Sequence, residues 1–237
     1  MNALKAAVAA LAVAASLPAH ASLIPVDGDQ VPGTGLGRVK TLVTIQDNGN
    51  GSRQDDLESG CVTYAGDLKS PSFACQAGLA GGDNQAINRL YLASDIAGLT
   101  QAGNLALVVN ISEGRPGNTL TLTDLYLSLY RTDTNQRMIF TYDDDPLELG
   151  DSGGVGQSGD NLFVLDDIQA GMANTFCPVL SVCVIGGGMQ FAPGSTNATP
   201  ETLYVGAVRS AEVPEPFSLA LLGAGLAGLG AARMRRR

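Results

Sequence analysis

Hydrophobic and polar positions alternate with a period of two through much of the middle of the chain. From Val39 to Ile45 the positions Val39, Thr41, Val43 and Ile45 share one parity, the pattern of a strand with one buried face. Leu105 to Ser112 (LALVVNIS) is apolar on both parities, as a central strand covered on both faces would be. In LTLTDLYLSLYR, Leu120 and Leu122 are followed by Leu125, Leu127 and Leu129. The change of parity predicts a β-bulge or kink at Thr123-Asp124, because one extra residue there returns all five leucines to one face. Met138 to Tyr142, Asn161 to Leu165, Val182 to Ile185, Met189 to Ala192 and Thr202 to Arg209 carry further strand patterns. Ser94 to Ala102 and Asp166 to Ala173 read as single helical turns.

Turn-rich stretches such as DNGNGSRQDD, SEGRPGN and GDSGGVGQSGD separate these runs. Many strands joined by short Gly, Asn and Asp connections predict an all-β fold, a β-sandwich of jelly-roll-like or Ig-like type. No repeat period is evident, so residues 22–212 are expected to form one domain, flanked by an N-terminal signal helix and a short C-terminal membrane helix.

Both ends depart from the alternating pattern. Residues 1–21 combine Lys5, an apolar run from Ala6 to Ala15 and the triplet Ala19-His20-Ala21. That order of charged, apolar and small-residue regions is the signature of a secretory signal peptide cut between Ala21 and Ser22. At the other end, Pro214 and Pro216 disfavour a helix upstream. Phe217 to Ala232 is then an uncharged Gly- and Ala-rich run closed by Arg233, Arg235, Arg236 and Arg237. The run is short beside the roughly 20 apolar residues that span a hydrocarbon core. Arginines held in the cytoplasm would leave the preceding domain outside. Gly223, Ala224, Ala227 and Gly228 have the spacing that lets a second helix pack closely.

Val213-Pro214-Glu215-Pro216, the apolar segment 217–232 and the basic tail 233–237 together resemble the PEP-CTERM sorting signal of Gram-negative bacteria. The resemblance covers residues 213–237 only. It implies recognition by an exosortase, an inner-membrane transpeptidase, after signal peptidase and the general secretion machinery have acted. It further implies a transient stay at the inner membrane, then release to the cell surface or to an exopolysaccharide matrix. It implies nothing about the activity of residues 22–212.

Charge narrows the partners. Residues 22–212 hold 9 basic and 22 acidic residues, a net charge of −13, which repels phosphate-rich polymers and argues against nucleic acid. Four cysteines, Cys61, Cys75, Cys177 and Cys183, lie in this exported part. In an oxidising compartment an even number favours disulfides, and of three connectivities Cys61 with Cys75 and Cys177 with Cys183 closes the shortest loops. Zinc is the rival use of these thiols, but neither C-x-x-C spacing nor a neighbouring histidine supports it.

The pentapeptide GDSGG at 150–154 matches the surroundings of a nucleophilic serine. A serine nucleophile needs a base, and the chain's only histidine is His20, inside the segment to be removed. Lys40 and Lys69 remain as formal partners for Ser152, but nothing in the sequence places either one beside it. The stretch therefore reads as a Gly-rich turn. Acids crowd the same region, and Asp143, Asp145, Glu148 and Asp151 are the candidate oxygen ligands for Ca²⁺. Their spacing departs from D-x-[DN]-x-[DN]-G, and a solvated acidic loop accounts for the same residues. No other cofactor is implied. A carboxylate glycosidase is open in principle, but the absence of Trp and an aromatic content of 5% offer few sugar platforms. The expectation is a non-enzymatic surface or matrix protein, with a polysaccharide-binding module as the alternative and a carboxylate-based hydrolase third.

Overall fold

The computed structural model describes residues 23–27, 40–45, 58–75, 79, 88–111, 119–150, 161–193 and 201–208. The strands, in chain order, are β1 (Leu23–Asp27), β2 (Lys40–Ile45), β3 (Glu58–Val62), β4 (Tyr91–Leu92), β5 (Leu105–Asn110), β6 (Thr119–Arg131), β7 (Gln136–Thr141), β8 (Leu147–Gly150), β9 (Asn161–Leu165), β10 (Cys183–Phe191) and β11 (Glu201–Ala207). One α-helix, α1 (Asp167–Phe176), and short 3₁₀ turns complete the described residues. No helix among them is long and apolar enough to cross a membrane. The signal segment and the segment 217–232 lie outside them.

The strands form two antiparallel sheets. One has the order β1-β9-β5-β11-β2, and the other has β3-β10-β6-β7 as its main path. In the second sheet β3 and β4 lie end to end along one side of β10, and β7 and β8 do the same along β6. Inner-face residues of both sheets belong to a single core: Leu42, Leu107, Phe163 and Leu203 from the first, Leu122, Leu127, Met189 and Phe191 from the second. Each such aliphatic or aromatic side chain contributes about 1.5–3 kcal/mol on burial. Tyr142 and Phe163 meet edge to face across this core at 5.7 Å.

β5 lies between β9 and β11 and is buried along its whole length, as its double-parity hydrophobicity predicts. Ala106 and Val108 join Leu162 in a smaller cluster on the opposite face of that sheet. The bulge expected in β6 is present. Gln190 pairs with Asp124 while Phe191 pairs with Leu122, so Thr123 is the extra residue. Its Oγ1 donates to the Gln190 carbonyl at 3.2 Å, and Leu120, Leu122, Leu125, Leu127 and Leu129 all enter the one core.

Three sequence expectations need correction. Val182–Ile185 and Met189–Ala192 are not two strands, because Gly186, Gly187 and Gly188 continue the ladder between them. The triplet is a site of close approach rather than a break. A Cβ on Gly186 would lie 2.5 Å from the Val62 carbonyl oxygen, and one on Gly188 would lie 2.5 Å from Tyr126 Cε1. β2 does not alternate strictly. A bulge opposite Leu203 and Tyr204 adds Leu42, and both Leu42 and Val43 reach the core. The helical reading of 94–102 holds only at its ends, which fall in the 3₁₀ turns Ala93–Asp95 and Ala102–Asn104, while 96–101 is not helical.

The other helical expectation extends further than the pattern suggests. α1 runs to Phe176, started by Asp166, whose carboxylate accepts from the Gln169 N–H at 2.6 Å.

Candidate functional site

All four cysteines are paired, Cys61 with Cys75 and Cys177 with Cys183. Of the three conceivable connectivities this is the one that closes the shortest loops. The second bridge joins the end of α1 to the start of β10. The first closes the excursion from β3 through residue 75 and fixes one wall of a groove.

That wall is tightly specified. Beyond β3, Thr63 and Ser72 exchange two backbone hydrogen bonds of 2.9 and 2.8 Å, and Thr63 Oγ1 donates to the carbonyls of Ser72 and Ala74. The turn at its tip uses Gly66 with φ +108°, a conformation that favours glycine. The Asp67 carboxylate accepts from the Lys69 N–H at 3.0 Å.

The facing wall is Asn88, Arg89 and Leu90. Asn88 is buried and uses both ends of its amide: Oδ1 accepts from the Thr44 N–H at 3.0 Å, and Nδ2 donates to the Cys61 carbonyl at 3.2 Å. The Arg89 N–H donates to the Leu42 carbonyl at 3.0 Å. These bonds run along β2, the edge of the five-stranded sheet, and reach β3 in the other sheet. Segment 88–90 therefore bridges an edge of one sheet to an edge of the other.

Between the walls is an open groove of about 740 Å³ lined by Leu68, Lys69, Ser70, Pro71, Phe73, Asn88, Arg89 and Leu90. The described residues hold five cationic side chains, Lys40, Lys69, Arg89, Arg131 and Arg137. Two of them line this groove. Lys40 lies nearby, its Nζ 5.7 Å from the centre of the Tyr91 ring. Burial pushes the Tyr91 phenol above its ordinary value, and the Arg89 charge opposes that rise. Among the described residues neither Lys69 nor Arg89 has an ion-pair partner, whereas Arg131 is held by Asp133 at 2.6 Å.

A second, shallower concavity of about 630 Å³ lies between α1 and β7, lined in part by Met138, Ile168, Met172 and Phe176. It offers apolar surface, and its Arg131 charge is already engaged.

The other residues singled out in the sequence are placed as follows. Asp143, Asp145 and Glu148 are exposed around the start of β8, and no group of three His, Cys, Asp or Glu side chains among the described residues is arranged to hold a metal. Asp151 and Ser152 lie outside the described residues, as do Ala19, Ala21, Ser22, Val213, Pro214, Glu215 and Pro216. Of the two lysines considered as partners for Ser152, Lys69 lines the groove and Lys40 stands by Tyr91.

Sequence reasoning did not find the groove. Asn88 and Arg89 belong to no strand pattern, and Lys69 enters the sequence reading only as a formal partner for Ser152. No family model matches the chain, and neither the curated proteins nor the solved structures contain a match to it.

Proposed function

We propose that the chain is a non-enzymatic exported protein of the cell surface or the exopolysaccharide matrix, a disulfide-closed β-sandwich of jelly-roll-like or Ig-like type. In this reading signal peptidase cuts before Ser22, and an exosortase processes the chain near Pro214-Glu215-Pro216. The carrying observation is the pair of disulfides in a two-sheet body, since such bonds form and persist in oxidising compartments. The short tether after β11 also supports it. Nine residues, 208–216, separate β11 from the apolar segment at 217 and reach at most about 32 Å, so the tail would hold the folded body close to the membrane until it is cut. Cell fractionation tests the reading: the protein belongs with the outer surface or medium, and a cytoplasmic location with free thiols would overturn it.

A second reading, a polysaccharide-binding module, is favoured by the groove at Lys69 and Arg89. Its walls are held by a disulfide and by buried backbone hydrogen bonds, so little ordering would be needed on binding. A glycan array run with and without Ca²⁺ tests it and shows whether the acids near β8 take part.

A further inference from the structure

Cations are scarce on this chain, and most acidic side chains among the described residues lie elsewhere. A lysine and an arginine facing one groove without ion-pair partners therefore stand out. The one acid in the adjoining turn, Asp67, directs a carboxylate oxygen to a backbone N–H rather than to either cation. The groove also has an apolar component in Leu68, Pro71, Phe73 and Leu90. We propose that this groove binds an acidic oligosaccharide, with Lys69 and Arg89 taking sugar carboxylates and Phe73 and Pro71 covering the C–H faces of the rings.

The mixed cationic and apolar lining favours this class over a nucleic acid. A uronic-acid chain carries a carboxylate beside the C–H face of each charged ring, and the groove lining likewise combines two cations with Phe73 and Pro71. Arg89 suits a carboxylate because its planar donors bond both oxygens, while Lys69 supplies a point charge on a flexible stem. A nucleic acid presents successive planar bases for stacking, and Phe73 is the one aromatic side chain among the described lining residues. The inference rests on the polysaccharide-binding reading and adds the charge class and the residues that confer it.

The test is calorimetric titration of the full chain, with its disulfides intact, against a tetramer of galacturonic acid. The same tetramer as its methyl ester, a neutral galactose tetramer and a short oligonucleotide serve as comparisons. The uronate is expected to bind, with affinity falling as salt is raised, and at least tenfold more weakly in K69Q/R89Q. R131Q, away from the groove, is expected to bind as the unmodified chain does. Both groove side chains are exposed and unpaired, so K69Q/R89Q is expected to melt at the unmodified temperature. If the ester or the neutral tetramer binds as well as the uronate, acid selectivity is wrong while carbohydrate binding stands. If no saccharide binds at millimolar concentration, both fall. Binding of the oligonucleotide in preference to the uronate, or full binding by K69Q/R89Q, also overturns the inference.

Discussion

Asn88 Oδ1 accepts a hydrogen bond from the Thr44 N–H, joining residues 44 apart in sequence at 3.0 Å. Thr44 lies on the edge of one sheet, and the other end of the Asn88 amide reaches Cys61 in the second. One side chain thus closes the seam between the sheets and sets the position of Arg89 in the groove. Replacing Asn88 with Ala leaves a buried N–H and a buried carbonyl without these partners. The expected loss is about 2–6 kcal/mol, from roughly 1–3 kcal/mol for each of the two unsatisfied groups, read as a lower urea midpoint. A change below 0.5 kcal/mol, the ordinary range for surface substitutions, would show that the seam does not depend on Asn88.

The two disulfides are expected to differ in worth. Their bonded cysteines are separated by 14 and 6 residues. Loop-closure entropy makes the first worth about 3 kcal/mol and the second about 2. C61A/C75A should therefore destabilise more than C177A/C183A in denaturant titration, and it alone should weaken the groove. The reverse order would mean that native-state effects outweigh chain entropy.

Gly186 and Gly188 predict a graded response. Alanine at 188 meets the Tyr126 ring, whereas alanine at 186 meets the Val62 backbone oxygen, which cannot rotate away. G188A should cost about 1–3 kcal/mol as an overpacked core site does, and G186A should cost more. Adding Tyr126→Leu to G188A should recover part of the loss, and strict additivity would argue against the contact.

Tyr142 should titrate above the ordinary tyrosine range. Burial is the main cause, and the charges of Asp144 and Asp145 add to it. A phenol whose folded value is raised supports the fold below its unfolded value near 10, and that support is lost as pH rises through the folded value. Ultraviolet titration of D144N/D145N should show a lower Tyr142 value, still above ordinary because burial remains. An unchanged value would show that Asp144 and Asp145 do not act on the Tyr142 phenol.

The strands that a period of two makes visible are largely those with one buried face or two. β5, β6 and β9 follow their patterns, and the parity change at Thr123 marks a real bulge. β1, β3, β4 and β8 are short and lack a repeated contrast, so the sequence carries little sign of them. Their positions come from pairing with β9, β10 and β6. In β10 the glycines read locally as a turn, but the close approach of Val62 and Tyr126 requires them in a strand. The disulfides were legible because loop length favours local pairing. The groove was not, because Lys69 and Arg89 are brought together by the Cys61–Cys75 loop and by Asn88, contacts that no local pattern encodes.

The proposal makes this an exported chain cut at both ends. Intact-mass measurement of the protein recovered from the outer surface or medium of cells carrying an exosortase tests it most directly. The predicted mass begins at Ser22, ends close to Pro214-Glu215-Pro216, and lacks Arg233 to Arg237; cells without the exosortase should retain that tail. Recovery of surface protein with the whole C-terminus present, in cells that carry the exosortase, would contradict it.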